Sequence, residues 1–63
     1  MTQEEFLQEH NGSSIDLVEV AYLIREHLKG DEESEKIVML ASGFISFLDD
    51  FEEELEEIGF EFG

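Results

Sequence analysis

The chemistry most densely written into this chain is electrostatic. Between Asp49 and Glu57, seven of nine residues are carboxylates: Asp49, Asp50, Glu52, Glu53, Glu54, Glu56 and Glu57. No base interrupts the run. On a helix, Asp49/Glu53, Asp50/Glu54, Glu52/Glu56 and Glu53/Glu57 are like charges one turn apart, each pair costing about 0.2–0.5 kcal/mol. Acids gathered toward a helix C-terminus also oppose the macrodipole. Two local rules are broken together with no compensating base nearby in sequence, and such violations are where a functional reason is sought. Carboxylates about 5–6 Å apart on successive turns offer a Lys/Arg-lined groove something like a row of phosphates. These residues are therefore expected to dock on a basic protein surface; the competing reading is a solvated face that only confers solubility.

Other chemistry-bearing residues are sparse. His10 and His27 lack a Glu or His three or four positions earlier to complete a helical ligand pair, and the chain has no Cys, so no metal site is expected. Both fall in the last turn of a predicted helix, where a His interacts favourably with the dipole. The segment Asp31-Glu32-Glu33-Ser34-Glu35 has the acids of a calcium loop. It carries Lys36 where the turn glycine belongs and Ser42 where the terminal acid belongs, which rules that loop out. No nucleophile beside a base, phosphate-cradling loop or paired carboxylates in a concave site can be assembled, so neither enzymatic activity nor a cofactor is expected.

The elements that must position these groups are helices. Thr2 followed by Glu5 forms a capping-box pattern for a short first helix to His10, anchored only by Phe6 and Leu7. Asn11-Gly12 breaks the chain. Ser13 with Asp16 repeats the capping pattern and predicts a second helix from Ile15 to Lys29, closed by Gly30 as its C-cap. Leu17, Ala21, Ile24 and Leu28 form its apolar seam, widened by Ile15, Val18, Val20, Tyr22 and Leu23.

Asp31 caps a third helix, with Glu32 and Glu33 in its first turn. Ile37, Ala41, Phe44, Leu48, Phe51, Leu55 and Ile58 step by four and three to Gly59, predicting one continuous helix. The alternative is that Ser42-Gly43 breaks it and Ser46, with Asp49 three later, caps a separate last helix. Met39, Ser42, Gly43 and Ser46 share one face of the continuous helix, mostly small, and suit a close crossing. With Phe44 and Phe47 they form the expected interface to a second copy. The two Phe of the tail Phe60-Glu61-Phe62-Gly63 are expected to fold back on the core.

Sixty-three residues make a single domain, 1–63, near the lower limit for independent folding. With neither Cys nor Pro, stability beyond the core is expected from association. The expected fold class is all-α: a small helical hairpin or bundle of two long helices plus a short N-terminal helix, completed by homodimerisation. A lone hairpin would expose the apolar girdle from Ile37 to Leu48. That run of 12 residues is too short to span a bilayer. Eighteen acids against three bases, net −15, repel nucleic acid and anionic membranes alike. Met1-Thr2-Gln3-Glu4-Glu5 lacks the basic start and apolar run of a secretory signal, so the cytoplasm is the expected compartment.

Ser13-Ser14-Ile15-Asp16-Leu17-Val18-Glu19 resembles the Asp-Ser-Leu-Asp-x-Val-Glu segment that opens the second helix of acyl carrier proteins. Asp31-Glu32-Glu33-Ser34-Glu35-Lys36-Ile37 is similar to their acidic segment leading into the last helix. The resemblance covers about a quarter of the chain and implies a phosphopantetheine arm on Ser14, with the acidic surface docking on partner enzymes. Ser13 stands where the family has Asp, few residues precede Ser14, and the two segments lie closer together than in the family. The function expected is an acidic protein-binding module, a nucleic-acid-mimicking inhibitor or regulator. The alternatives are an acyl-carrier-like protein modified at Ser14 and a helical adaptor acting through its apolar seam.

Overall fold

In the computed structural model, which describes Met1–Gly63, the chain forms four α-helices and no strand. Helix α1 spans Gln3–His10 and starts as its capping box predicts. The Thr2 hydroxyl accepts from the Glu5 amide at 3.2 Å and Glu5 Oε1 accepts from the Thr2 amide at 3.0 Å. The Thr2 backbone hydrogen bond, seconded by the Thr2 hydroxyl, holds the Glu5 carboxyl below its ordinary value. Helix α2 spans Leu17–His27 and starts later than expected, because Asp16 and not Ser13 is its cap: Asp16 Oδ1 accepts from the Glu19 amide at 2.8 Å. An aspartate reaches the N3 amide from the residue flanking the helix, and that leaves Ser13 in the loop. At the other end the cap is Leu28. Gly30 instead supplies the left-handed residue, φ +91°, of the turn closed by the Asp31 amide on the Leu28 carbonyl.

After a single 3₁₀ turn at Glu32–Ser34, the predicted long third helix is two helices. Helix α3 spans Glu35–Ser42 and α4 spans Leu48–Glu57. The Gly43 amide still bonds the Met39 carbonyl, but the next helical bonds lapse and the Ser46 and Phe47 amides both turn onto the Gly43 carbonyl. Three local causes coincide. Ser42 Oγ donates back to the Val38 carbonyl at 2.9 Å, a competing bond that bends helices. Gly43 is the poorest helix former in the segment. The Phe47 ring also lies over Gly43, so close that a Cβ there would sit 3.1 Å from it. The break thus falls where the alternative reading put it, yet Ser46 does not cap the last helix, whose flanking residue Phe47 makes no side-chain cap.

The break reverses the chain. Lys36 and Glu54 would lie about 27 Å apart along one continuous helix, and their side chains meet at 3.3 Å. Helix α4 therefore folds back along α3, and α3 also packs against α2. The core these elements enclose is one cluster, built on Phe6, Val20, Ile24, Leu28, Ile37, Leu40, Phe51 and Leu55 and closed by Phe60. Phe60 folds back as expected, against Phe6 with ring centroids 6.2 Å apart, whereas Phe62 stays half-exposed.

Folding α4 back covers most of the apolar girdle within one chain. Ile37, Leu40 and Ala41 are buried, Val38 and Phe44 are half-buried against the core, and Met39, Ile45, Phe47 and Leu48 remain exposed. Met39, Ser42, Gly43 and Ser46 do not share a helical face, since the helix ends at Ser42. No helix is long and apolar enough to cross a membrane.

Candidate acidic docking surface

Phe51 and Leu55 pin the inner face of α4 to the core, so its carboxylates must fan over the remaining faces. Asp49, Asp50, Glu52, Glu53, Glu56 and Glu57 are exposed, and Glu54 is half-buried. The fan has two flanks. Asp50, Glu53, Glu54 and Glu57 face α3 across a recess of about 300 Å³ that also holds Lys36 and Leu40. Glu52 and Glu56 face the C-terminal tail and the start of α2.

Each of the two broken rules is partly repaired by the fold. Since the chain breaks before α4, Asp49 and Asp50 sit in that helix's first turn, where the macrodipole favours acids. Lys36 supplies a base that sequence adjacency hides, because the pairing runs across the α3–α4 reversal. The hydrogen bond from Lys36 to Glu54 comes first, then the charge of Glu54 and those of Glu57 and Glu53. Together they raise the Lys36 ammonium above its ordinary value. Glu52 and Glu56 stay uncompensated, and Glu53 and Glu57 share only the field of a Lys36 already bonded to Glu54, all four lying toward or at the unfavourable end of the helix.

The charge density is the notable quantity. Asp49 to Glu57 covers about 12 Å of helix axis. Six of its seven carboxylates have no ion-pair partner. That is about one free charge per 2 Å, against about 1.7 Å for both strands of duplex DNA. The other two bases, Arg25 and Lys29, lie elsewhere, in a recess between α2 and α3 with Tyr22, Glu26, Val38 and Ser42.

The expected dimer-interface residues are separated by the break. Gly43 is covered by the Phe47 ring and Phe44 packs on the chain's own core. Met39, Ser42, Ser46 and Phe47 are exposed. Ile45, 85% exposed, and Leu48 belong to the expected girdle but not to the six expected interface residues. They join Ser46 and Phe47 beside Asp49 and Asp50. His10 and His27 end their helices as predicted, and their rings stack at 6.2 Å, with His10 also on Phe6 at 4.7 Å. That meeting had no sequence signal. Ser34 was also unforeseen: it is fully buried, and its hydroxyl donates to Asp31 Oδ2 at 2.6 Å. Ser14 is exposed in the loop, two residues ahead of the Asp16 cap. The chain matches no protein-family description, no curated protein and no solved structure.

Proposed function

We propose that this chain is an acidic protein-binding module, resident in the cytoplasm, whose α4 docks on a Lys/Arg-lined surface of a nucleic-acid-binding protein and so inhibits or regulates it. The observation that carries this reading is the fan of six exposed carboxylates without an ion-pair partner, at close to the linear charge density of duplex DNA. A protein groove built for phosphates meets the same sign and density of charge, on a rigid rod whose inner face is anchored. The test is capture from native extract at low and high salt. Wild type is compared with a variant in which Asp49 and Asp50 become Asn and Glu52, Glu53, Glu56 and Glu57 become Gln, with Glu54 kept to hold Lys36. A basic protein lost in salt, lost with the variant and displaced by duplex DNA is the expected result. Capture indifferent to all three overturns the reading.

The exposed apolar residues at the α3–α4 reversal support a second role, self-association. Ile45, Phe47 and Leu48 are exposed and line one recess, with Met39 exposed nearby in sequence on α3, and exposed apolar surface gathered in one place marks interaction sites. This is where a homodimer, or an adaptor contact to another helix, would form. Sedimentation of wild type against Ile45→Glu checks it. A dimer that survives high salt and is lost in the variant is expected, whereas a wild-type monomer at every concentration removes the dimer. For the carrier reading, exposure of Ser14 is the only structural support.

A further inference from the structure

We infer that the groove between α4 and the C-terminal tail takes a cationic amphipathic segment of the partner protein, an inference that rests on the docking reading above and specifies its partner. The groove encloses about 750 Å³. It is lined by Leu17, Leu55, Phe60 and Phe62, of which Leu55 and Phe60 are buried, and by Glu52 and Glu56, one turn apart on α4. Glu61 adds a third carboxylate from the tail side.

The tail that forms one wall is held more firmly than an exposed segment needs to be. The Gly12 amide donates to the Glu61 carbonyl at 2.8 Å and the Gly63 amide to the Ser13 carbonyl at 3.0 Å. Asn11 grips the same segment from its side chain, Nδ2 donating to the Gly59 carbonyl and Oδ1 accepting from the Glu61 amide. The result is an aromatic ring, Phe62, that is 47% exposed yet mounted on fixed backbone and set edge-on to buried Phe60 at 5.1 Å. A half-exposed Phe ordered in advance lowers the entropy cost of receiving a ligand.

Charge selects the occupant. A groove lined by both carboxylates and apolar side chains repels nucleic acid and anionic lipid, and it fits a helix whose apolar side chains recur every three to four residues between Lys and Arg. A second copy of this chain fits poorly: it brings a net charge of −15 with only three bases, of which Lys36 is engaged by Glu54. A surface of pure charge would bind any basic partner, whereas this groove adds a requirement for apolar anchors spaced on one helical face.

The probes are two synthetic peptides of identical Leu and Lys composition, one ordered as an amphipathic helix and one scrambled, titrated calorimetrically against wild type, Phe62→Ser and the pair Glu52→Gln with Glu56→Gln. The ordered peptide is expected to bind about tenfold more tightly than the scrambled one. Phe62→Ser should reduce it to the level of the scrambled peptide, and the double glutamate variant should weaken both. Circular dichroism controls for folding. The amide shifts of wild type with the ordered peptide, which need no variant, should cluster at Leu17, Leu55 and Phe60 to Phe62. Equal binding of the two peptides, or shifts spread evenly over α4, overturns the groove while leaving electrostatic docking standing. No binding of either peptide overturns both. A wild-type dimer dissociated by Phe62→Ser assigns the groove to a second copy and also overturns the inference.

Discussion

Ser13 and Asp16 both offer a side-chain oxygen near the start of α2, and only Asp16 reaches a helical amide, that of Glu19 at 2.8 Å. Asp16→Ala should therefore cost about 1 kcal/mol in urea denaturation, the usual loss for an N-cap. Ser13→Ala should stay within about 0.5 kcal/mol, because the Ser13 hydrogen bonds are made by its backbone, the amide donating to His10 and the carbonyl accepting from Ile15 and Gly63. Equal losses at the two positions would return the capping role to Ser13. Lys36 can be argued the same way. Its folded-state pKa is raised, so the stability its charged form contributes is complete below the ordinary lysine value of about 10.4 and is lost as pH rises through the raised value. Lys36→Gln should lower the melting temperature by an amount that is steady through neutral pH, shrinks with added salt and vanishes only in the alkaline range above about 10.4. A difference already gone near pH ~8 would show that Glu54 does not set it.

At the scale of elements, the reversal between α3 and α4 decides the fold, and its tightest contact is the Phe47 ring over Gly43. Gly43 has φ −119°, which side chains tolerate, so the cost of adding a methyl group falls on the ring. Gly43→Ala should destabilise by about 1 kcal/mol in the wild type and by almost nothing on a Phe47→Ala background, a coupling measurable by a double-mutant cycle. The same cost in both backgrounds would place the constraint in the backbone. This region also explains what could and could not be read from the sequence. Helix α1 and its capping box were legible because they depend on residues a few positions apart, as was a glycine turn after α2, whereas the start of α2 was expected at the Ser13 cap and lies at Asp16, and its C-cap is Leu28 in place of Gly30. The all-helical class followed from the apolar seams. The continuity of the third helix was not legible, because Ile37 to Ile58 presents the same steps of four and three whether the helix runs straight or folds back with both halves facing one core. The turn carries Phe44, Ile45 and Phe47 and no Pro or Asn, so its only local signals were Ser42-Gly43 and the Ser46 capping pattern, which makes no cap. From that one misreading followed the placing of Asp49 and Asp50 at the wrong end of a helix, the overlooked Lys36 and the overstated exposure of the girdle. The tail clamp depends on Asn11 meeting Gly59 and Glu61, contacts between distant segments that no local pattern announces.

The whole molecule measures 27 × 25 × 19 Å and carries a net charge of −15. Its longest extent is between three and four screening lengths at physiological salt, where that length is about 8 Å, and less than one at low salt, where it reaches about 30 Å. Self-repulsion should make the fold more stable as salt is added, with the melting temperature rising through the low-salt range. The acids of α4 do not contribute to this equally. Glu52, Glu53, Glu56 and Glu57 face one another in like-charged pairs toward a helix C-terminus, so changing all four to Gln should raise the melting temperature, most in low salt. Asp49 and Asp50 occupy the first turn, where the dipole favours them, so changing both to Asn should lower it. The opposite signs separate repulsion stored for docking from charge that merely stabilises a helix end. If the four-glutamine variant is both more stable and unable to hold a basic partner, the repulsion is retained in the free protein because docking relieves it. If it is no more stable than wild type, α4 stores no such repulsion and its acids act as a solvated face.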